Sequence, residues 1–134
     1  MTGEAGCPFG SYVDYILNDD GWPVLLLSEQ SVHTQNVEHD PRVSMFAQLP
    51  RSRAGQTTAA LSRVSFMGTV VDIDEEERDR VTLAFTLVHP YAEQIVDSPK
   101  FKFKKIKPDR IYFSGGFGVM ATWVRGTIFL ALWS

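Results

Sequence analysis

Cysteine is almost missing from this chain: Cys7 stands alone among 134 residues. A single thiol excludes an intramolecular disulfide and any thiolate zinc site, and it suits a reducing compartment. Long apolar runs are missing as well. No stretch of 18 apolar residues occurs, so no spanning helix is expected. The opening MTGEAGCPFG has neither the basic start nor the apolar core of a secretory signal, and it is too short and too acidic for a transit peptide. These absences lead to the expectation of an intracellular protein, not secreted and not in a membrane. Excess charge is small too. A formal net charge of −3 gives no global attraction to nucleic acid or to an anionic surface.

The familiar catalytic signatures are also lacking. There is no G-x-S-x-G elbow, no H-E-x-x-H and no phosphate-binding P-loop. His33, His39 and His89 have no carboxylate or second histidine at a strong ligand spacing, so no metal site is expected from them. Gly115, Gly116 and Gly118 lack the spacing and context of a dinucleotide fingerprint and read as a strand turn. No side chain is assigned as a catalytic acid or base.

What is present is a globular composition, 44% hydrophobic and 12% aromatic, in a length that supports one core. The most informative stretch runs from Asp19 to Pro50. Ser11 to Leu17 is aromatic and β-branched, and Asn18–Asp19–Asp20–Gly21 is hairpin-turn chemistry, so Pro23 to Ser28 should pair back on it. Val24 to Leu27 is apolar on both faces, as in a strand covered on both sides. A Ser28–Glu29–Gln30–Ser31 corner then leads, with Ser31 as N-cap, into a two-turn helix carrying His33 and Thr34. Asp40–Pro41 returns the chain to a strand over Arg42 to Leu49. Unpaired amides at a helix start favour anions, so this corner is a candidate phosphate cradle, although the same residues also serve as ordinary capping chemistry.

Pro50 to Thr58 is a polar loop. Leu61 to Ile73 alternates like one long strand, with Gly68 allowing a bend. Asp74 with Glu77 resembles a capping box, and Val81, Ala84, Phe85 and Val88 form the core stripe of the helix that follows. His89–Pro90 ends that helix before a short second one over Tyr91 to Val96. Lys100 to Lys107 should be a strand that turns at Pro108–Asp109 and returns from Arg110 to Ser114. Six basic residues in this region are interleaved with phenylalanines: Lys100, Lys102, Lys104, Lys105, Lys107 and Arg110. That pattern occurs in single-strand binders, but lysines on a strand face also make a solvated, aggregation-resistant surface, and nucleic acid is not the expected partner. The order ββαββαββ makes a mainly β, α+β antiparallel barrel with peripheral helices the expected architecture.

Five segments in this order, PFGSYVDYI, LLSEQSVHTQN, DPRVSMFAQLP, SRVSFMGTV and KIKPDRIYFSGGFG, resemble the split-barrel flavin-binding proteins related to pyridoxamine 5'-phosphate oxidase. The closest likeness is to the haem-utilisation and CREG-like branch, in particular its plant members, over Pro8 to Val124. The resemblance implies a split barrel that forms a homodimer with FMN at the subunit interface, and an FMN-dependent oxidoreductase where flavin is bound. Carried over by position, Ser11, Ser28, His33, Thr34 and Arg63 are the cofactor-binding places. Where the oxidases proper carry an Arg-Lys pair on the short helix, this chain has Val32 and His33, which lowers the charge of the phosphate grip. Haem replaces flavin in related haem-utilisation proteins, where a histidine such as His33 could be an axial ligand.

The resemblance also implies, as an alternative, a non-catalytic regulatory module of tetrapyrrole metabolism that binds a protein partner, in plastid or cytoplasm. It divides the chain into a lead-in (1–10), a split-barrel domain (11–124) without the family's first helix and strand, and a divergent tail (125–134), as in a truncated product.

Overall fold

The computed structural model describes residues 8–48, 62–116, 119–124 and 127–132. Cys7, the loop read over Pro50 to Thr58, and Phe117 and Gly118 of the glycine cluster lie outside the described residues. In chain order the elements are β1 (Tyr15–Leu17), β2 (Pro23–Ser28), α1 (Val32–His39), β3 (Arg42–Gln48), β4 (Arg63–Asp72), α2 (Arg78–Val88), β5 (Phe101–Gly116), β6 (Val119–Val124) and β7 (Thr127–Leu132). Short 3-10 turns over Glu75–Glu77 and Pro90–Gln94 flank α2. The strand order is β1-β2-β5-β4-β3, with β6 paired to β5 and β7 to β6. The registers of β1 on β2, β2 on β5, β5 on β6 and β6 on β7 are antiparallel. A mainly β, α+β antiparallel architecture with peripheral helices is therefore what the chain adopts.

The chain divides into two compact units, residues Met1–Arg42 with Thr69–Lys107, and Val43–Gly68 with Pro108–Ser134. In the first unit the hairpin forms because Gly21 reaches a φ of 80°, which its missing Cβ permits, and Asn18 Oδ1 accepts the N–H groups of Asp20 and Trp22. One face of the β1-β2-β5 ladder presents Ile16, Val24 and Phe103 to α2, where Val81 and Phe85 complete a buried cluster with Ala92. Phe85 is fully enclosed and meets Phe103 edge-on at 5.4 Å. Of the stripe read along α2, Val81 and Phe85 are buried and Ala84 packs against them, but Val88 is 61% exposed. Val88 is the last residue of the helix, with His89 as its C-cap.

The acidic run ahead of α2 departs from the expected capping box. Asp74 stands at the N-cap of the 3-10 turn without a side-chain cap, and α2 begins only at Arg78. The two carboxylates are engaged elsewhere: Asp74 Oδ2 and Glu77 Oε1 each lie 3.2 Å from the Lys105 ammonium. Lys105 shares the Phe101–Phe103 face of β5, is buried, and sits 5.1 Å over the Trp22 ring. An ammonium drawn into the fold needs compensating charge, and this outweighs what a cap would contribute.

Two expected boundaries shift. The first strand was expected from Ser11 but pairs only over Tyr15–Leu17, because the residues before it are fastened by side chains instead of a ladder. The turn expected at Pro108–Asp109 is absent: β5 runs on, pairing β2 as far as Lys105 and β6 from Arg110. Proline withholds a donor but its fixed φ suits extended backbone, so it is tolerated between two stretches of pairing. In the second unit, that later half of β5 carries the β6–β7 hairpin, with a register shift between Ser114 and Gly116. Thr127–Leu132, read from the sequence as part of a tail, forms β7 there.

Candidate functional site

The corner between β2 and α1 is built by local backbone bonds. Ser28 carbonyl accepts the Ser31 N–H at 3.1 Å, and the Ser28 hydroxyl accepts the Gln30 N–H at 3.3 Å. Ser31 is in the extended conformation of an N-cap, yet its side chain makes no cap bond, and no acidic residue lies in the first turn of α1. The helix therefore starts with amides and hydroxyls that are not closed off by its own capping chemistry. Thr34, the buried residue of α1, is 6% exposed, and its Oγ1 has no hydrogen-bond partner among the described residues.

His33 is half-buried, and its Nδ1 lies 3.2 Å from the hydroxyl of Ser11 in the segment before β1. Burial pushes the imidazole below its ordinary value, so the ring is neutral at pH 7. With Nδ1 engaged, Nε2 is the nitrogen left for another partner. A neutral imidazole with one edge anchored and the other uncommitted can ligate a metal or hydrogen-bond a ligand ring.

Ser11 is positioned by a set of anchors that sequence reasoning missed. Asp14, three residues on, accepts the hydroxyls of Tyr12 and of Tyr91, both at 2.8 Å. His89 Nε2 meets the Tyr15 carbonyl at 2.9 Å. The two phenols, Tyr91 foremost, hold the Asp14 carboxyl below the usual carboxylate range, while burial and then Asp14 push Tyr91 up to about 12. No periodicity could have revealed these contacts, since Asp14 and Tyr91 are 77 residues apart.

The structure thus brings Ser11 onto His33, with Thr34 next to it on the helix and Ser28 at the corner that launches it. Arg63 opens β4 in the second unit, half-buried. Of the six basic residues from Lys100 to Arg110, Lys104 is paired with Asp72 and Lys105 with Asp74 and Glu77, so a third of that basic stretch is neutralised. A cleft lined by Ile16, Asn18, Glu77 and Arg80 measures about 40 Å³, far below the roughly 300–1,000 Å³ of ligand pockets, and is no cofactor slot.

Antiparallel strands in this order, with a short helix after the second strand and an anchored histidine on it, define a split-barrel protein. The match to known proteins makes this specific: the chain belongs to the CREG beta-barrel family, whose model covers residues 1–130. It is 32% identical over 112 residues to the chloroplastic non-canonical heme oxygenase HOZ of Arabidopsis thaliana, an alignment that takes in 83% of this chain and 33% of that protein. The chain thus spans a third of the length of that curated relative. Among solved structures it superposes on a heme binding protein from Mycobacterium smegmatis with a TM-score of 0.80 at 28% identity, covering 89% of this chain and 48% of the other. Campylobacter jejuni ChuZ, at 20% identity and a TM-score of 0.73 over 88% of this chain and 49% of its own, shares the fold. Among the described residues no helix is long and apolar enough to cross a membrane.

Proposed function

We propose that this chain is a haem-binding split-barrel module, with His33 as the axial nitrogen donor. The observation that carries the reading is the state of that imidazole: half-buried, neutral, anchored through Nδ1 by Ser11, and without a hydrogen-bond partner at Nε2 among the described residues. Neutral imidazole is the form that binds iron. The residues fit the group in two further respects. The unpartnered Thr34 hydroxyl and the uncapped start of α1 supply donors of the kind that a carboxylate-bearing macrocycle requires. Support also comes from the relatives, one described as a heme oxygenase and one as a heme binding protein. Haem, when bound, supplies an iron centre for electron or oxygen chemistry, and the protein's part is to seat it, orient it and control access to it.

A second reading is FMN, with the phosphate at the same corner and the isoalloxazine ring giving the module oxidoreductase chemistry. Its support is the set of first-turn amides that Ser31 leaves uncapped, beside the Ser28 hydroxyl. Against a tight phosphate grip stands the absence of a basic side chain at Val32 or His33, where a dianion would want charge-assisted donors. In both readings Ser28 and Thr34 contact the cofactor. The module acts as a homodimer, and it resides in plastids, in keeping with the chloroplastic HOZ relative.

Optical titration of the whole chain with ferric haem and, separately, with FMN tests this. The expected result is a sharpened, shifted Soret band that His33→Ala abolishes, with no flavin retained after gel filtration. A stable flavin complex and an unperturbed haem spectrum would replace the first reading by the second.

A further inference from the structure

Ser11 was read from the sequence as a residue that touches the cofactor, but its hydroxyl is directed to the Nδ1 of His33, 3.2 Å away. A serine hydroxyl can accept from a protonated Nδ1 or donate to a bare one. Once Nε2 is given to a Lewis acid, the ring's remaining proton must sit on Nδ1, and the hydroxyl then acts as its acceptor. In that state such an acceptor sets the rotation of the ring and raises the basicity of the ligating nitrogen.

The position of Ser11 is itself prepared. Asp14 is held by the hydroxyls of Tyr12 and Tyr91, and the Tyr15 carbonyl by His89, so the segment carrying Ser11 is tied down three and four residues further on. The hydroxyl therefore meets the imidazole with little ordering left to do.

We propose that Ser11 is a positioning residue that acts through His33, fixing the rotation of the ring and accepting from Nδ1–H once Nε2 is presented to a haem iron. The proposal rests on the haem reading above and adds to it a role for a residue that does not touch the ligand.

The whole 134-residue chain carries the test, as wild type, Ser11→Ala, Ser11→Thr, Ser11→Asp and His33→Ala. Affinity for ferric haem should fall about ten-fold in Ser11→Ala and return in Ser11→Thr. In the ferrous form, the iron–histidine stretching frequency should fall in Ser11→Ala and rise in Ser11→Asp, since a stronger acceptor makes the ligand more basic. A purely structural role would not move the two variants in opposite directions. Without haem, relaxation of the His33 ring C–H groups should report one fixed rotamer in the wild type and a mobile ring in Ser11→Ala. Unchanged affinity and stretching frequency across the serine variants, with His33→Ala still losing the axial ligand, would overturn the role of Ser11 and leave haem binding by His33 standing. A wild-type haem spectrum in His33→Ala would instead overturn the haem reading together with this inference. A His33 ring as well ordered in Ser11→Ala as in the wild type would overturn the inference in the haem-free protein.

Discussion

Tyr91 donates its hydroxyl to Asp14 across 2.8 Å, joining the turn that follows α2 to the segment that leads into β1. Asp14 receives a second phenol from Tyr12, so one carboxylate organises two aromatic side chains.

The consequence for stability is pH-dependent. Phenol hydrogen bonds hold the Asp14 carboxyl below its unfolded value. Its contribution is therefore present above the ordinary aspartate range and is lost as pH falls through the folded value. Thermal melts between pH 7 and pH 2 should show a decline that Asp14→Asn flattens. Tyr91→Phe should cost about 1 kcal/mol at pH 7. Tyr91 has the opposite sign: its folded value near 12 exceeds 10, so its contribution is complete below pH 10 and disappears as pH approaches 12. Phenolate absorbance should record one tyrosine ionising late, and Asp14→Asn should bring it earlier.

A buried ion pair on β5 gives a second expectation. Burial alone would drive the Lys105 ammonium toward its neutral form, yet the hydrogen bonds and charges of Asp74 and Glu77 override this and hold it above its ordinary value. Side-chain exposure is 6% for Lys105 and 12% for Glu77 but 73% for Asp74. Removing a buried partner strands a charge, so Glu77→Ala should cost roughly 3 kcal/mol in urea unfolding, whereas Asp74→Ala should cost less than about 1.

Phe85 is the centre of the first unit's apolar cluster, with no exposed surface and an edge contact to Phe103. Phe85→Ala should destabilise the fold by about 3–5 kcal/mol, read from the shift in denaturation midpoint.

The hairpin turn offers the mildest change. Gly21 has a φ of 80° and open space where a Cβ would be. Gly21→Ala should therefore cost about 1 kcal/mol from backbone strain alone, and Gly21→Asn less, since asparagine tolerates this conformation.

Much of the fold was legible because local chemistry dictates it. Asn18 to Gly21 has the residues that a positive-φ turn requires, Val24 to Leu27 has the two-sided apolar run of a covered strand, and His33 and Thr34 follow the corner that starts α1. Harder to read were choices settled by distant partners. Lys105 reads as one more solvated lysine because its neutralising carboxylates lie some thirty residues earlier in the chain. Pro108–Asp109 looked like a turn because proline's fit to extended backbone depends on where neighbouring strands stop pairing. The hydrogen bond between Ser11 and His33 spans 22 residues and has no local signal in the sequence. Val88 followed the helical period, yet as the last residue of α2 it stays exposed.

His89 does more than terminate α2. By occupying the Tyr15 carbonyl, it fills one acceptor on a bordering strand only three residues long, whose strand partner among the described residues is β2. A neighbouring molecule that sought to extend the sheet there would find a brief template already interrupted by an imidazole, so this margin is poorly suited to seed fibrils.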